Sequence, residues 1–303
     1  MACKVTPVPG TLPEDFRIVR RVPEDPLLTL PHVPTHPPLF SPGSRLSYAR
    51  WEEIRDKLNA VGFLWPTEID IVGEILKANE LGIAWDDTEK GQFSDRYFDP
   101  VKFPVIPHVP WAQKNMRIPP ALRTKLIEEL QRKINTGVLE PSSSSYRSRW
   151  FVVPKKDGNL RIVWNLEPLN APSIRDSGVP PILDKIIEDF AGRSCYSLLD
   201  IYIGYDEGLV HPESRDFTTI QTPLGPLRLT TLPMGYTNAV AIFHGDVVFI
   251  FRDEIPHVAQ PFIDDVGVKG PKTRYELEDG SYETLPEQPG VRRFVWEHLN
   301  DLN

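Results

Sequence analysis

Two adjacent carboxylates stand between two short apolar runs in the stretch Phe262-Ile263-Asp264-Asp265-Val266-Gly267-Val268. The flanking Ile263 and Val266 are β-branched and favour extended backbone, whereas Asp tolerates turn conformations. The pattern predicts a β-hairpin whose tight turn is Asp264-Asp265. Two charges at a hairpin tip are costly unless a cation joins them. The turn is therefore either an ordinary solvated turn or half of a cation site, and the rest of the chain has to decide.

The bulk composition is that of a soluble globular protein, with 40% hydrophobic and 25% charged residues. The 303 residues suffice for one large domain or two modest ones. No apolar run approaches the roughly 20 residues that span a membrane, and the N-terminus lacks the apolar segment of a signal peptide. Cys3 and Cys195 stand apart from any His/Cys cluster. They argue against a disulfide framework and against a zinc site.

Charge is unevenly distributed along the chain. The net charge of −8 argues mildly against nucleic-acid binding, because phosphate contacts need Lys and Arg. Residues 111–175, however, carry 12 Lys/Arg against 5 Asp/Glu. This stretch is either a nucleic-acid-binding face or a basic surface that only keeps the protein soluble.

Composition divides the chain into three predicted domains. Residues 1–44 carry ten prolines, which lack the N–H that helices and sheet interiors need, so we expect a disordered leader. Residues 45–110 contain a helix pattern from Ser47 to Phe63, a second helix capped by Thr67, and an irregular connector. Residues 111–303 mix helix and strand patterns and form the third predicted domain.

Helix and strand signals alternate within residues 111–303. They predict a helix opened by Pro119-Pro120, a hairpin of strands 150–153 and 160–164, a helix over 180–190, a buried strand 195–199 ending on Asp200, strands over 217–222 and 227–231, a helix from Thr237 or Asn238 to Phe251, the hairpin of Asp264 and Asp265, a polar hairpin around Asp279-Gly280, and a helix over 291–302. Lys155, Lys156 and Arg161 then lie on or beside the tip of the first hairpin.

One acid at a strand end and two on a later hairpin are the donor set of a site for two divalent cations. Phosphoryl transfer uses two such ions about 4 Å apart, and Mg²⁺ prefers carboxylate oxygens. Basic residues on a hairpin above the site would hold a triphosphate. Taken alone, Asp200 is also a common cap or turn residue, and Lys155-Lys156 is also an ordinary solvated turn.

Six motifs occur in an order and spacing that are together highly specific. They are Phe151–Arg161, Leu169-Asn170, Ser197–Asp200 with Gly204-Tyr205, Thr222–Gly225, Leu232–Ala239 and Phe262–Asp265. From about Pro104 to its end the chain resembles the reverse transcriptases of gypsy-type long-terminal-repeat retrotransposons, and specifically a fungal-like branch. The resemblance implies an α+β fold of fingers and polymerase palm, in which the palm is a ferredoxin-like antiparallel sheet with helices.

The same resemblance implies an RNA-directed DNA polymerase that joins a deoxynucleoside triphosphate to a primer 3′-hydroxyl with two Mg²⁺ ions, or alternatively Mn²⁺. Asp200, Asp264 and Asp265 would be the catalytic carboxylates and, with the carbonyl of Ile201, the metal ligands. The nucleotide-binding residues would be Lys155, Lys156, Arg161, Tyr205, Met234 and Gly235. Tyr205 would be an aromatic gate that favours deoxyribose. For both Tyr205 and Met234, core packing is the alternative interpretation.

The implied partners are an RNA or DNA template with its primer and deoxynucleoside triphosphates. No association with a membrane is expected. The implied location is the cytoplasm, in particles, with a nuclear phase as an alternative. The chain looks like a truncated fingers-palm fragment of a polyprotein, so the thumb, RNase H and integrase parts are expected but absent. It departs from the family at Asn165 and Glu167, usually Asp and Arg, at Asp206, usually His, and at Phe262, usually Tyr.

Two further interpretations remain open at this point. One is a non-catalytic remnant of the element that at most binds nucleic acid through residues 111–175. The other is an unrelated two-carboxylate phosphotransferase, which predicts that Asp200 lies far from the turn at residues 264–265.

Overall fold

The computed structural model describes residues 10–86, 88–155, 158–178, 182–202 and 204–303. The chain divides into two compact units, each built from three separate stretches. Unit 1 consists of Met1–Pro23, Gln92–Val179 and Ile203–Asp246, and unit 2 of Glu24–Gly91, Pro180–Tyr202 and Val247–Asn303. The domain boundaries at 44/45 and 110/111 stay a prediction.

The helices and strands of the described residues follow in chain order. They are α1 (Tyr48–Val61), α2 (Pro66–Ala78), α3 (Arg123–Asn135), β1 (Leu139–Pro141), β2 (Trp150–Pro154), β3 (Leu160–Trp164), α4 (Glu167–Asn170), α5 (Leu183–Phe190), β4 (Tyr196–Asp200), α6 (Pro212–Arg215), β5 (Ile220–Thr222), β6 (Gly225–Leu229), α7 (Ala239–Ile250), β7 (Ala259–Phe262), β8 (Asp265–Lys269), β9 (Thr284–Leu285), β10 (Gln288–Arg292) and α8 (Arg293–Leu302). None of these helices combines the length and the apolar character needed to cross a membrane.

Unit 1 is organised around helix α3. Its residues Leu126 and Leu130 are fully buried and pack with Trp150 of β2 and with residues of the antiparallel sheet β1-β6-β5. Strands β2 and β3 form a separate antiparallel hairpin. Burying a leucine side chain stabilises by about 1.5–3 kcal/mol, so these contacts hold the basic hairpin on the unit 1 core. The helix predicted from its apolar periodicity and the hairpin predicted from its Asp-Gly turn are both confirmed.

Unit 2 contains the antiparallel sheet β4-β8-β7. The sequence predicts a buried strand over 195–199, and this prediction is wrong, since Tyr196, Leu198 and Leu199 are 50%, 67% and 40% exposed. Strand β4 lies at the edge of the sheet and pairs, within the described part of the chain, with β8 alone. An apolar run does not distinguish an edge strand from a central strand, because both can carry the same residues.

Gly270, directly after β8, lets the chain approach Cys195, directly before β4, very closely. A Cβ at Gly270 would lie 2.6 Å from Sγ and 2.7 Å from the carbonyl oxygen of Cys195. We expect Gly270→Ala to lower the free energy of unfolding of unit 2 by about 1–3 kcal/mol, as overpacking does. Urea denaturation measures this, with Gly82→Ala as the control, because a Cβ at Gly82 meets nothing within 4 Å. Equal midpoints for the two variants would contradict the prediction.

Helix α2 belongs to the same core as the C-terminal helix α8. Ile71 and Ile75 of α2 pack with Phe294 and Val295 of α8 and with Val33. Ser47 caps α1 as predicted, its hydroxyl accepting the N–H of Arg50 at 3.3 Å. Thr67 does not cap α2. The cap is Trp65, because Pro66 already has the φ of the first helical position.

The predicted leader makes contacts in both units from Gly10 onward. Arg20 forms a 2.7 Å ion pair with the buried Asp246 in unit 1, and Val33 is buried in unit 2. Residues 1–9 lie outside the described part of the chain. The disorder predicted for residues 1–44 stays a prediction.

Candidate catalytic carboxylate site

The three predicted catalytic carboxylates meet at one end of the unit 2 sheet. Asp200 ends β4 and lies directly opposite Asp265, the first residue of β8. The N–H of Ile201 donates to the carbonyl of Asp264 at 2.9 Å, which continues the pairing by one step. Directly opposite residues have Cβ atoms roughly 4.5–5.5 Å apart. The interpretation as an unrelated phosphotransferase requires Asp200 to be remote from this turn, so the pairing contradicts it.

The turn differs by one residue from the prediction. Phe262 pairs with Asp265, so the two turn residues are Ile263 and Asp264, and Asp265 belongs to the strand. Two-residue hairpin loops require a positive φ, and here Ile263 supplies it at +62°. This conformation costs a β-branched residue about 1–3 kcal/mol. The sequence pattern is misleading because the residue best suited to a turn, Asp265, is used in the strand instead.

The three side chains are of the type that binds a hard cation such as Mg²⁺. Asp200 is exposed, and Asp264 and Asp265 are half-buried. Within the described residues, no hydrogen bond or ion pair reaches any of these carboxylates, although carboxylate oxygens are the donors that Mg²⁺ prefers. Across the same residues, no group of three or more His, Cys, Asp or Glu side chains stands together as a formed metal site. The donors therefore fit in type, while their side chains are not gathered around one point.

The basic hairpin predicted to hold phosphates is part of unit 1. Its turn is closed by hydrogen bonds from the N–H of Lys155 to Asn159 at 2.7 Å and from Gly158 back to Lys155 at 3.1 Å. Lys155 and Arg161 are exposed, and Arg161 lies opposite Val153. Lys156 lies outside the described residues. The side chains of Lys155 and Arg161 have no hydrogen-bonded partner among the described residues, so both can take an anionic ligand.

Tyr205 lies on a short 3-10 turn, Gly204–Glu207, against helix α7. Gly204 contacts Phe243 so closely that any Cβ there would clash with its ring. The ring of Tyr205, half-buried, lies 5.0 Å from that of Phe243. The neighbouring Asp206 pairs with Lys133 at 3.9 Å and accepts a hydrogen bond from Thr231, so this departure from the family pattern has a packing role in unit 1. The roles of Tyr205 as gate or as packing residue both stay predictions.

Met234 and Gly235 lie on an exposed loop of unit 1. Met234 is 67% exposed, which is unlike a core-packing residue. Gly235 has φ +94°, a conformation that favours glycine. Both ends of the Asn170 side chain hold this loop: Nδ2 donates to the carbonyl of Gly235 at 3.0 Å, and Oδ1 accepts the N–H of Thr237 at 2.8 Å. Sequence reasoning quoted Asn170 as a motif residue but missed this positioning role.

Asn165 keeps one function that an Asp would have at this position. Its Oδ1 accepts the N–H of Glu167 at 3.1 Å, at the start of helix α4, and its own N–H donates to Arg149. Glu167 itself is exposed. The substitution therefore retains the local helix start, since an amide oxygen accepts the same hydrogen bond as a carboxylate.

The sequence is similar to parts of several polyproteins, whereas no protein-family model matches it. It is 28% identical over 172 residues to the retrovirus-related Pol polyprotein from transposon 412 of Drosophila melanogaster, which covers 55% of this chain and 14% of that protein. The Pol polyprotein from transposon gypsy of the same organism is 27% identical over 144 residues, and the match covers 46% of this chain and 14% of that protein. The enzymatic polyprotein of Cauliflower mosaic virus (strain D/H) is 28% identical over 146 residues, with 46% and 22% covered. The chain thus spans less than a quarter of the length of these relatives.

The fold is similar to that of foamy viral protease-reverse transcriptases. The structure in complex with an RNA/DNA hybrid has a TM-score of 0.64 at 18% identity and covers 75% of this chain and 30% of that one. The structure in complex with double-stranded DNA has a TM-score of 0.64 at 19% identity, and the match covers 87% of this chain and 49% of that one. The predicted α+β reverse-transcriptase fold is confirmed, and the assignment to a fungal-like branch stays a prediction. By sequence the chain is similar to part of the retrovirus-related Pol polyproteins, including that of transposon gypsy, and by fold it is similar to foamy viral protease-reverse transcriptases.

Proposed function

We propose that this chain carries the fingers and palm of an RNA-directed DNA polymerase. One observation supports this most strongly: Asp200 lies opposite Asp265, with Asp264 in the adjoining turn. Three carboxylates at one sheet end, with no ion-pair partner among the described residues, repel one another. Such an arrangement is useful when the site has to hold divalent cations during nucleotidyl transfer.

The proposed reaction joins a primer 3′-oxygen to the α-phosphorus of a deoxynucleoside triphosphate and breaks the bond to the leaving pyrophosphate. Asp200, Asp264 and Asp265, with the carbonyl of Ile201, would hold two Mg²⁺ or Mn²⁺ ions. When bound, these ions would stabilise negative charge on the attacking and leaving oxygens. Lys155, Lys156 and Arg161 would bind the triphosphate. Tyr205, Met234 and Gly235 would orient the sugar and the base.

The proposed partners follow from the same assignment. The two foamy viral structures contain an RNA/DNA hybrid and double-stranded DNA, and we propose that this chain likewise binds a primer on an RNA or DNA template. We also propose that it works within a polyprotein that supplies a thumb, RNase H and integrase, in cytoplasmic particles.

A second candidate is a non-catalytic remnant that binds nucleic acid. It is favoured by one observation, the surplus of basic residues in the stretch 111–175, with 12 Lys/Arg against 5 Asp/Glu. Primer extension separates the two. The purified chain is given an RNA template, an annealed DNA primer, deoxynucleoside triphosphates and Mg²⁺ or Mn²⁺, alongside Asp264→Asn. Incorporation by the wild type that the variant lacks supports the polymerase; no incorporation together with salt-sensitive RNA binding supports the remnant.

Arg161→Gln should separate nucleotide binding from chemistry. Loss of one charge-assisted phosphate contact is worth about 1.4 kcal/mol, so we expect KM for the nucleotide to rise about tenfold while kcat changes less. Steady-state incorporation kinetics measure both constants. Arg17→Gln is the control, because Arg17 is exposed in the same unit and already paired with Glu14. An unchanged KM in Arg161→Gln would remove this residue from the proposed nucleotide site.

A further inference from the structure

We propose that Arg147 and Arg149 form a phosphate-binding edge, the arginine edge, for the single-stranded part of an RNA template. The proposal rests on the proposed polymerase function only in naming the strand as template, since it concerns binding and not chemistry. The two residues lie in unit 1, directly before strand β2.

The backbone directs both side chains to the same side. Arg147 and Ser148 make isolated β-bridges with Ala112 and Ile220, so this segment is extended. Ser148 is fully buried, and its hydroxyl accepts the indole N–H of Trp111 at 2.9 Å. Because alternate residues of an extended segment point to opposite sides, Arg147 and Arg149 both point outward. Both are exposed.

The neighbouring segment holds both guanidinium groups in place. Nε of Arg147 donates to the carbonyl of Gln113 at 3.0 Å, and Nε of Arg149 donates to the carbonyl of Lys114 at 3.3 Å. The side chain of Gln113 in turn accepts the backbone N–H of Arg149 at 3.0 Å. The terminal nitrogens of both arginines have no partner among the described residues. An arginine anchored through Nε has lost part of its conformational entropy before binding and presents two donors that match a phosphate.

The charges around the edge favour an anion. No carboxylate pairs with Arg147 or Arg149 in the described residues, whereas Arg228 of the same unit is paired with both Glu140 and Asp216. The exposed Lys114 adds a third positive charge beside them. Because residues two apart in an extended chain are roughly 6.6 Å apart, each guanidinium can meet a different phosphate. That spacing favours successive phosphates of one strand over the phosphates of a free nucleotide.

The test is binding of a fluorescent single-stranded RNA, measured by anisotropy over a range of salt concentrations without nucleotides. Arg147→Gln/Arg149→Gln should bind about tenfold or more weakly at low salt. The slope of log K against log salt should flatten by about 1.4, since each phosphate contact on a single strand contributes about 0.7. Arg147→Lys/Arg149→Lys keeps the charge but loses the forked donors, so it should recover the slope and only part of the affinity. Arg17→Gln/Arg252→Gln removes the same charge from carboxylate-paired arginines and should bind like the wild type.

The outcomes separate this proposal from the polymerase. Asp264→Asn should bind RNA normally and show the same dependence on the arginine edge. A Gln double variant that binds RNA like the wild type overturns the arginine edge even if the chain is an active polymerase. A wild type that binds no RNA at low salt, or a Gln double variant that loses affinity for free nucleotide instead of RNA, also overturns it. Arginine-dependent RNA binding without incorporation overturns the polymerase and supports the edge.

Discussion

Asp200→Asn should lower the rate constant of nucleotide incorporation by about 10²- to 10³-fold, the loss typical of removing one group that stabilises transition-state charge. The same variant should unfold at a slightly higher urea concentration than the wild type. Its carboxylate is exposed, has no partner among the described residues and lies directly opposite Asp265, and like charges in this position are destabilising. Loss of activity together with a gain of stability is typical of a functional site rather than a structural one.

Single-nucleotide incorporation and urea denaturation measure the two effects on the same preparation. Asp184→Asn is the matched control, because Asp184 is an exposed carboxylate of the same unit, on helix α5. It should alter neither quantity by much. An Asp200→Asn chain that incorporates nucleotide at the wild-type rate would remove Asp200 from the site. A variant that loses activity because it unfolds would assign Asp200 a structural role.

Glu68→Gln should cost about 3–5 kcal/mol of the free energy of unfolding of unit 2, the range for breaking a buried ion pair. Glu68 is fully buried and accepts hydrogen bonds from the backbone, Nε and Nη2 of Arg292 at 2.9, 2.9 and 2.6 Å. Aromatic rings surround this guanidinium, with those of Trp65 and Phe63 4.9 and 5.0 Å away. Removing the counter-charge leaves Arg292 buried without a carboxylate.

Urea denaturation with Glu74→Gln as control tests this, since Glu74 lies on the same helix and is half-exposed. The control should change stability by less than about 0.5 kcal/mol, as surface substitutions do. Glu68→Leu/Arg292→Met should be less destabilised than Glu68→Gln, because neither charge then remains buried. A Glu68→Gln variant as stable as the control would mean that this ion pair does not hold α2 to β10.

Patterns that extend over a few neighbouring residues predicted the helices and hairpins that form from neighbouring residues. Helix α3 and the hairpin β2-β3 follow from a 3.6-residue apolar repeat and from Asp157-Gly158, both of which act over a few residues. The ion pair of Glu68 with Arg292 could not be predicted, because its partners are 224 residues apart. Arg292 was placed in the C-terminal helix, whereas it ends strand β10 and α8 begins at Arg293. Long-range pairing of this kind has no periodic signal in the sequence.

The candidate site was predictable in its residues and less so in its geometry. The order of the motifs named Asp200, Asp264 and Asp265, and strand pairing brings their backbones together. The turn was shifted by one residue, because Ile263 takes a positive φ that its side chain disfavours. The exposure of β4 and the anchoring of Arg147 and Arg149 depend on neighbours that no local pattern specifies.

Binding of Mn²⁺ shows whether Asp200, Asp264 and Asp265 share a divalent-cation site. Free Mn²⁺ is titrated by electron paramagnetic resonance in the presence of an RNA template, a chain-terminated DNA primer and the next nucleotide, so that no chemistry occurs. The wild type should bind about two more Mn²⁺ ions per chain than Asp200→Asn/Asp264→Asn/Asp265→Asn, and Mg²⁺ should displace them. Equal Mn²⁺ binding by the two proteins would mean that these three carboxylates do not hold the cations.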